Sequence, residues 1–139
     1  MLVPGAGPYP ASVSDLLEVS VEGRLTPESL APLADRIDGA LRAGGTFAVL
    51  FDRRPMTAPT PDGRAALERW AARTVPLLRD RCAAWADVLD ERRAASIARA
   101  RGGDEDAEDA ARGYPQRTFT DEAAARAWVT GLLASAPAR

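Results

Sequence analysis

The hydrophobic positions of this chain alternate between short runs and helical stripes. One unbroken run covers residues 46–51 (TFAVLF), is preceded by two glycines and ends at Asp52 and the turn segment RRP. A run of this length without polar alternation predicts a strand that is covered on both faces. Asp52 would then lie at the carboxyl end of this strand, where the sheet of an α/β protein usually opens towards a ligand or partner.

Three further segments predict strands. Residues 17–22 (LEVSVE) alternate apolar and polar positions, which is typical of a half-buried strand near an edge. Residues 82–90 (CAAWADVLD) form a mainly apolar run that predicts another strand. Residues 114–120 (YPQRTFT) predict a last strand at an edge, because Pro115 cannot donate a hydrogen bond to a neighbouring strand.

Helical spacing fills the intervals between these strands. Thr26 can cap a first helix whose first position is Pro27, and residues 44–45 (GG) end that helix. A second helix begins near Asp62 or Gly63 and carries Pro76 inside its pattern. That proline predicts either a kink or two short helices that meet there.

The last part of the chain predicts three more segments. A third helix opens at residues 90–93, and the acidic run 104–109 either starts a short helix that ends at Gly113 or stays loose. Residues 120–122 (TDE) cap a final helix. Its buried stripe is expected to contain Ala124, Trp128 and Leu132, with Ala125 and Leu133 beside them.

The order of elements is therefore strand, helix, strand, helix, strand, helix, strand, helix. This order defines the α/β class, with a single sheet of about four to five strands and helices packed around it. The domain is expected to cover residues 14–133. An extended lead-in rich in proline and glycine precedes it over residues 1–13, and a frayed tail follows over residues 134–139.

Composition removes several classes of chemistry. The net charge is −2, which argues against nucleic-acid binding, and all 18 basic residues are arginine. The chain has no histidine and only one cysteine, Cys82, so Ser-His-Asp, Cys-His and zinc chemistry are excluded and no metal or cofactor is expected. Cys82 is expected to be a packed thiol. No signal peptide or membrane span is evident, so the expected location is cytoplasmic.

Three short motifs together resemble one family. Residues 19–26 (VSVEGRLT) are similar to the V-x-G-x-L-T entry to the first helix of STAS domains, and residues 48–52 (AVLFD) are similar to their central strand. Residues 117–129 (RTFTDEAAARAWV) resemble the F-x-D-x-x-x-A-x-x-W-L ending of the SpoIIAA-like, or STAS/SEC14-like, branch. The resemblance spans residues 17–133. It implies a mostly buried sheet in a non-catalytic domain that binds a protein, a small apolar molecule or a nucleotide. The phosphorylated Asp-Ser-Ser/Thr-Gly motif of the anti-sigma-antagonist members is absent, and Thr60 is the nearest hydroxyl.

The segment between Asp52 and Gly63 is the predicted binding site. It leaves the carboxyl end of a buried strand and enters a helix amino terminus, whose free N–H groups favour an anion. The candidate binding residues, with two carboxylates from the end of the next strand, are Asp52, Arg53, Arg54, Met56, Thr57, Thr60, Asp62, Asp87 and Asp90.

A structural interpretation of these residues competes with the functional one. The arginines could pair with nearby acids, and the prolines could merely shape the crossover. Asp87 and Asp90 could share a proton at one edge or be surface acids that cap the next helix. Met56 is expected to be exposed beside the prolines, where it could contact a partner or cover a pocket.

Three functions are compatible with this sequence. The favoured hypothesis is a non-catalytic domain with a regulatory or scaffolding role through protein–protein contact. The sequence is also compatible with a homodimer. The second is a carrier of a lipid or other small apolar ligand, with Trp70, Trp85 and Met56 near the cavity. The third is a small cyclase or isomerase, which would require Asp52, Asp87 or Asp90 in a closed cavity with a raised pKa.

Overall fold

A computed structural model describes residues 15–101 and 104–136 of the chain. The predicted lead-in over residues 1–13 and the tail residues 137–139 lie outside the described residues. The strands are β1 (Asp15–Ser20), β2 (Gly23–Arg24), β3 (Phe47–Asp52), β4 (Met56–Thr57), β5 (Cys82–Val88) and β6 (Gln116–Phe119). The helices are α1 (Pro27–Ala43), α2 (Pro61–Leu78), α3 (Glu91–Arg101), α4 (Glu105–Arg112) and α5 (Glu122–Ser135).

The predicted α/β class is confirmed. Four strands form a parallel sheet in the order β1-β3-β5-β6, so the central strand predicted from residues 46–52 lies inside the sheet and the first and last strands lie at its edges. A second, two-stranded parallel sheet pairs β2 with β4. This small sheet was not predicted, because two-residue strands such as Gly23–Arg24 carry no hydrophobic period.

The core lies on both faces of the sheet. On one face, Phe47 and Val49 of β3 pack in a cluster with side chains of α1 and α2. On the other face, Ala48 and Leu50 of the same strand pack against α5. All four side chains are buried, so β3 is covered on both faces as its unbroken apolar run predicts.

Local capping sets the ends of the first helix. The Thr26 hydroxyl accepts a hydrogen bond from the Ser29 amide at 3.0 Å, and the Ser29 hydroxyl accepts one from the Thr26 amide at 2.8 Å. Gly44 ends the helix with a φ of 87°, a left-handed conformation that costs glycine little. The predicted start and stop of α1 are both confirmed.

The second helix differs from its prediction at Pro76. Helix α2 runs without a break from Pro61 to Leu78, so the alternative of two short helices was wrong. Thr74 and Leu78, on either side of the proline, are almost fully buried and anchor the last turn to the core. Packing therefore holds together a turn in which proline removes one backbone hydrogen bond.

The buried stripe of α5 agrees only in part with its prediction: Ala125 and Leu133 are buried as expected, but Val129 and not Trp128 lies between them. Ala125, Val129 and Leu133 are buried against the sheet, whereas Ala124 is exposed. Trp128 lies at the margin of the interface, with its ring centroid 5.5 Å from that of Phe119. The two adjacent stripes of α5 have similar apolar content. The stripe with the smaller side chains packs on the sheet because the facing surface of β5 is rich in alanine.

The acidic run becomes a helix. Asp104 caps α4 by accepting a hydrogen bond from the Asp106 amide at 3.0 Å, and Gly113 ends the helix with a φ of 98°.

Among the described residues, no helix combines the length and the apolar content that a membrane crossing requires.

Candidate functional site

The loop that follows β3 is held by a pair of charged residues. The Asp52 carboxylate accepts hydrogen bonds from the Arg54 amide at 3.1 Å and from Arg54 Nε at 2.8 Å. Arg54 Nη2 also lies 2.8 Å from Glu122 on α5. The hydrogen bond from the Arg54 side chain lowers the pKa of Asp52 in spite of partial burial, and the same bond raises the pKa of Arg54. Arg54 thus pairs with nearby acids, as the structural interpretation expected.

The amino terminus of α2 is occupied by the chain's own polar groups. The Gly63 amide donates to the Thr60 hydroxyl oxygen at 3.0 Å and lies 3.1 Å from Asp62 Oδ1. The Thr60 hydroxyl donates to the same carboxylate at 2.7 Å, which lowers the pKa of Asp62. A carboxylate of this chain therefore takes the place that the sequence predicted for an external anion. Thr57 is exposed on β4.

Arg93 on α3 also holds the loop that follows β3. It was not among the residues that the sequence predicted for this site. Its guanidinium donates to the carbonyl oxygens of Met56 at 2.7 Å and of Arg54 at 2.9 Å. Asp90 orients Arg93 through a 2.7 Å ion pair and accepts its backbone N–H at 2.8 Å, which lowers the pKa of Asp90. Asp90 is thus a surface acid at the start of α3. Only the spacing of Asp90 and Arg93 could have suggested this pair.

A cavity of about 160 Å³ lies beneath this loop, between the sheet and helices α1 and α2. Its apolar wall is formed by Leu25, Leu30, Leu33, Phe51, Met56, Leu67, Trp70 and Trp85. Arg53, Asp87 and Gln116 add polar groups. The sequence had associated Trp70, Trp85 and Met56 with such a cavity, and the structure brings all three together.

The expectation that Met56 is exposed was wrong. Met56 is buried, because the pairing of Met56 with Gly23 in the small sheet turns its side chain towards the core. It therefore forms part of the cavity wall beneath the loop. The neighbouring Thr57, which faces the other way, is exposed.

Asp87 is the buried carboxylate of this site. Its exposed fraction is 3%, so the interpretation of Asp87 as a surface acid was wrong. The Trp85 indole N–H donates to Oδ1 at 3.1 Å, and the Gln116 amide donates to Oδ2 at 2.7 Å. Gln116 was missed in the sequence, since nothing in a short edge strand indicates which neighbouring side chain it reaches.

The three candidate carboxylates do not converge. Phe51 is the register partner of Asp87, so both side chains lie on the same face of the sheet. Asp52 follows Phe51 in the strand and therefore projects from the opposite face. There Asp52 lines a separate shallow pocket with Glu18 and Glu122. Asp90 pairs with Arg93 at the surface. The prediction that Asp87 and Asp90 could share a proton is therefore not supported by the geometry.

Arg53 completes the polar part of the cavity wall. Its backbone N–H donates to the Val88 carbonyl at 2.8 Å, and its guanidinium carbon lies 5.7 Å from the centroid of the Phe51 ring. Its Nε is buried and has no hydrogen-bond partner within the described ranges. A buried donor of this kind is uncommon in folded proteins, because its desolvation is not compensated.

A second, more open groove of about 310 Å³ lies at the amino-terminal end of the sheet, around Cys82, Tyr114 and Arg81. Burial raises the pKa of Cys82 to about 12 and that of Tyr114 above its usual range. These shifts favour a packed thiol and phenol over a reactive pair. Across residues 15–101 and 104–136, no cluster of carboxylates and thiols is suited to hold a metal ion.

Comparison with known proteins adds no relative to this description. No family model, no curated protein and no solved structure matches the chain. The chemistry of the cavity and of the loop above it is therefore the basis for a functional assignment.

Proposed function

We propose that this chain is a binding domain for a small, mainly apolar molecule, which it holds in the cavity between the sheet and helices α1 and α2. The observation that carries the proposal is a cavity of about 160 Å³ that combines an apolar wall with the buried Asp87 carboxylate. Ligand pockets are typically apolar with a few fixed polar groups. An apolar cavity of about 150 Å³ accommodates a benzene ring.

The two tryptophans of the cavity are held in place by hydrogen bonds. The Trp70 indole N–H donates to Asp38 Oδ1 at 3.3 Å, and the Trp85 indole N–H donates to Asp87. Trp85 also packs edge to face on Phe51, with ring centroids 6.4 Å apart. A wall that is ordered before binding lowers the entropic cost of holding a ligand.

Binding fits the site better than catalysis does. The enzyme hypothesis requires a carboxylate with a raised pKa in a closed cavity, but Asp52 and Asp90 lie outside the cavity and have lowered pKa values. Asp87 alone lines the cavity, without a second acid from this set. The resemblance of residues 17–133 to STAS domains also supports a non-catalytic role.

Protein contact is a second candidate, and the rigidity of the loop favours it. Arg93 and Asp52 hold the backbone between Arg54 and Met56, which leaves Arg54, Pro55 and Thr57 exposed on a fixed ridge. A preordered ridge can bind a partner with little loss of conformational entropy. This ridge could serve a regulatory or scaffolding role.

A ligand titration with a filled-cavity variant tests the first candidate. We expect toluene and indole to shift the indole N–H resonances of Trp70 and Trp85, and native mass spectrometry of gently purified protein to show a bound mass. Leu33→Phe should abolish these shifts by filling the cavity. Leu77→Phe is the matched control, because Leu77 is 58% exposed on α2.

Two results would count against this assignment. The first is the absence of any shift with saturating toluene and indole. The second is a shift that persists unchanged in Leu33→Phe. A protein partner that is retained by the wild type and lost in Arg54→Glu would favour the ridge instead.

A further inference from the structure

The cavity between the sheet and helices α1 and α2 has little open access. Seven of the residues that line it expose 8% or less of their surface: Leu25, Leu30, Leu33, Met56, Trp70, Trp85 and Asp87. The other lining residues are half-buried: Phe51, Arg53, Leu67 and Gln116. A benzene ring fills an apolar cavity of about this volume, so its entry requires part of the wall to move aside.

The loop over residues 53–60 is the part of the wall that is held least by apolar packing. Helices α1 and α2 each bring a row of side chains to the core, including Leu33 on α1 and Trp70 on α2. Within residues 53–60, all of which the structure describes, Met56 is the only buried side chain. Segments with few buried apolar contacts open at a lower free energy than the whole domain. This loop is therefore the part of the wall that opens most readily.

Hydrogen bonds from two arginines hold both ends of this loop. Arg93 donates to two carbonyl oxygens near its start, including that of Met56 at 2.7 Å. Arg24 on β2 donates to the carbonyl oxygens of Ala58 at 3.2 Å and Pro59 at 3.3 Å near its end. Arg24 is exposed and the Arg93 side chain is 34% exposed, so water can replace these bonds when they break. The loop is ordered while it is closed, and its release does not require the core to unfold.

We propose, on the basis of the binding role above, that the loop over residues 53–60 is the lid of the cavity, that Met56 closes the wall and that Arg93 holds the lid shut. Opening breaks the two Arg93 bonds and the 3.0 Å backbone bond from Gly23 to the Pro55 carbonyl, and it withdraws Met56 from the wall. Because the lid closes over the empty and the filled cavity alike, it controls the rates of entry and exit more than the affinity.

Labelling of a thiol at position 56 measures opening without a ligand. The full chain carrying Met56→Cys is treated with iodoacetamide, and mass spectrometry follows position 56 and Cys82 separately. Cys82 is buried at the amino-terminal end of β5 and therefore reports unfolding of the domain. Adding Arg93→Met should speed labelling at position 56 at least about fivefold and change the Cys82 rate by less than about twofold, because only the population with an open lid increases.

Two further variants make this comparison specific. Arg24→Met releases the other end of the lid and should also speed labelling at position 56 alone. Arg92→Met removes a neighbouring exposed arginine of α3 and should change neither rate. Equal acceleration at position 56 and Cys82 in both lid variants, or no acceleration at position 56, would overturn the proposal.

Toluene binding to the chain without Met56→Cys separates this inference from the proposed function. Exchange broadening of the Trp70 and Trp85 indole resonances gives the association and dissociation rates. Arg93→Met should raise both rates at least about threefold and change the Kd by less than about twofold. Unchanged rates would refute the lid while leaving the cavity as a ligand site. Absence of toluene binding to the wild-type chain would refute both.

Discussion

The side-chain amide nitrogen of Gln116 lies 2.7 Å from Oδ2 of Asp87. This contact links the edge strand β6 to its neighbour β5 through a buried carboxylate. The contact contributes to stability as well as to the cavity, because a buried carboxylate without hydrogen-bond donors is costly. It also places the Gln116 side chain at the cavity wall.

Replacing Gln116 with Leu should reduce the free energy of unfolding by about 1–3 kcal/mol, because the buried Asp87 carboxylate loses the hydrogen bond from Gln116. Gln116→Glu should be more harmful, since it places a second carboxylate beside the first. Urea denaturation measures both changes. Arg69→Leu, at an exposed position, is the control and should change the value by less than about 0.5 kcal/mol. An unchanged stability in Gln116→Leu would contradict the assigned contact.

Two glycines should respond in opposite directions to alanine. A Cβ at Gly63 would overlap the carbonyl oxygen of Leu25, so Gly63→Ala should destabilise the fold by about 1–3 kcal/mol or more. Gly39 lies inside α1, and the nearest atom to its Cβ would be Arg42 Nη2 at 3.8 Å. Gly39→Ala should therefore stabilise by about 0.5–1 kcal/mol through helix propensity. Thermal unfolding of the two variants provides the measurement. Equal changes in their midpoint temperatures would contradict the packing of α2 on Leu25.

Asp109 should make stability depend on pH. Burial opposes its ionisation. Hydrogen bonds from the Arg117 side chain at 2.6 Å, the backbone N–H of Gln116 and the Arg112 side chain nevertheless lower its pKa below the ordinary 3.8. Because the folded pKa is the lower one, this contribution is present above about pH 4 and is lost as the pH falls through the folded value. At pH 7, Asp109→Asn should lose about 1–3 kcal/mol.

Denaturation at several pH values tests this dependence. The difference between wild type and Asp109→Asn should shrink as the pH falls from 5 towards 2. Asp35→Asn, at an exposed position of α1, is the comparison variant and should show a smaller difference at pH 7. A difference for Asp109→Asn that does not change with pH would exclude its ionised form as the stabilising species.

Cys82 should resist alkylation while the protein is folded. Burial raises the pKa of its thiol to about 12, so the reactive thiolate form is rare at pH 8. Iodoacetamide should therefore modify the folded chain at least about a hundredfold more slowly than the chain in urea. Mass spectrometry follows the reaction. Similar rates in both states would contradict the packed thiol.

Local signals in the sequence predicted much of the fold. The unbroken run before Asp52 marked β3, and Thr26, Pro27 and Gly44 marked the ends of α1. Such signals act within a few residues, because strand periodicity and helix capping depend on neighbouring side chains and backbone groups. The choice between adjacent stripes of α5 was different, since it depended on the alanine-rich surface against which the helix packs.

The candidate site was only partly accessible to this kind of inference. The segment from Asp52 to Gly63 contains Arg53 and Met56, which the structure places at the cavity. Gln116 and Arg93 reach the site from distant parts of the chain, and no local pattern indicates those contacts. The same limit explains why Asp87, near the end of a predicted strand, could not be distinguished from a surface acid.

The sequence by itself determined the α/β class and the order of the main elements, because these depend on short-range periodicity, and it showed that the chain contains no histidine. Only the tertiary structure decided that Asp52 and Asp87 lie on opposite faces of the sheet and that Arg53, Asp87 and Gln116 share one cavity. Strand register and helix packing produce those relationships, and both arise from contacts between residues far apart in the chain.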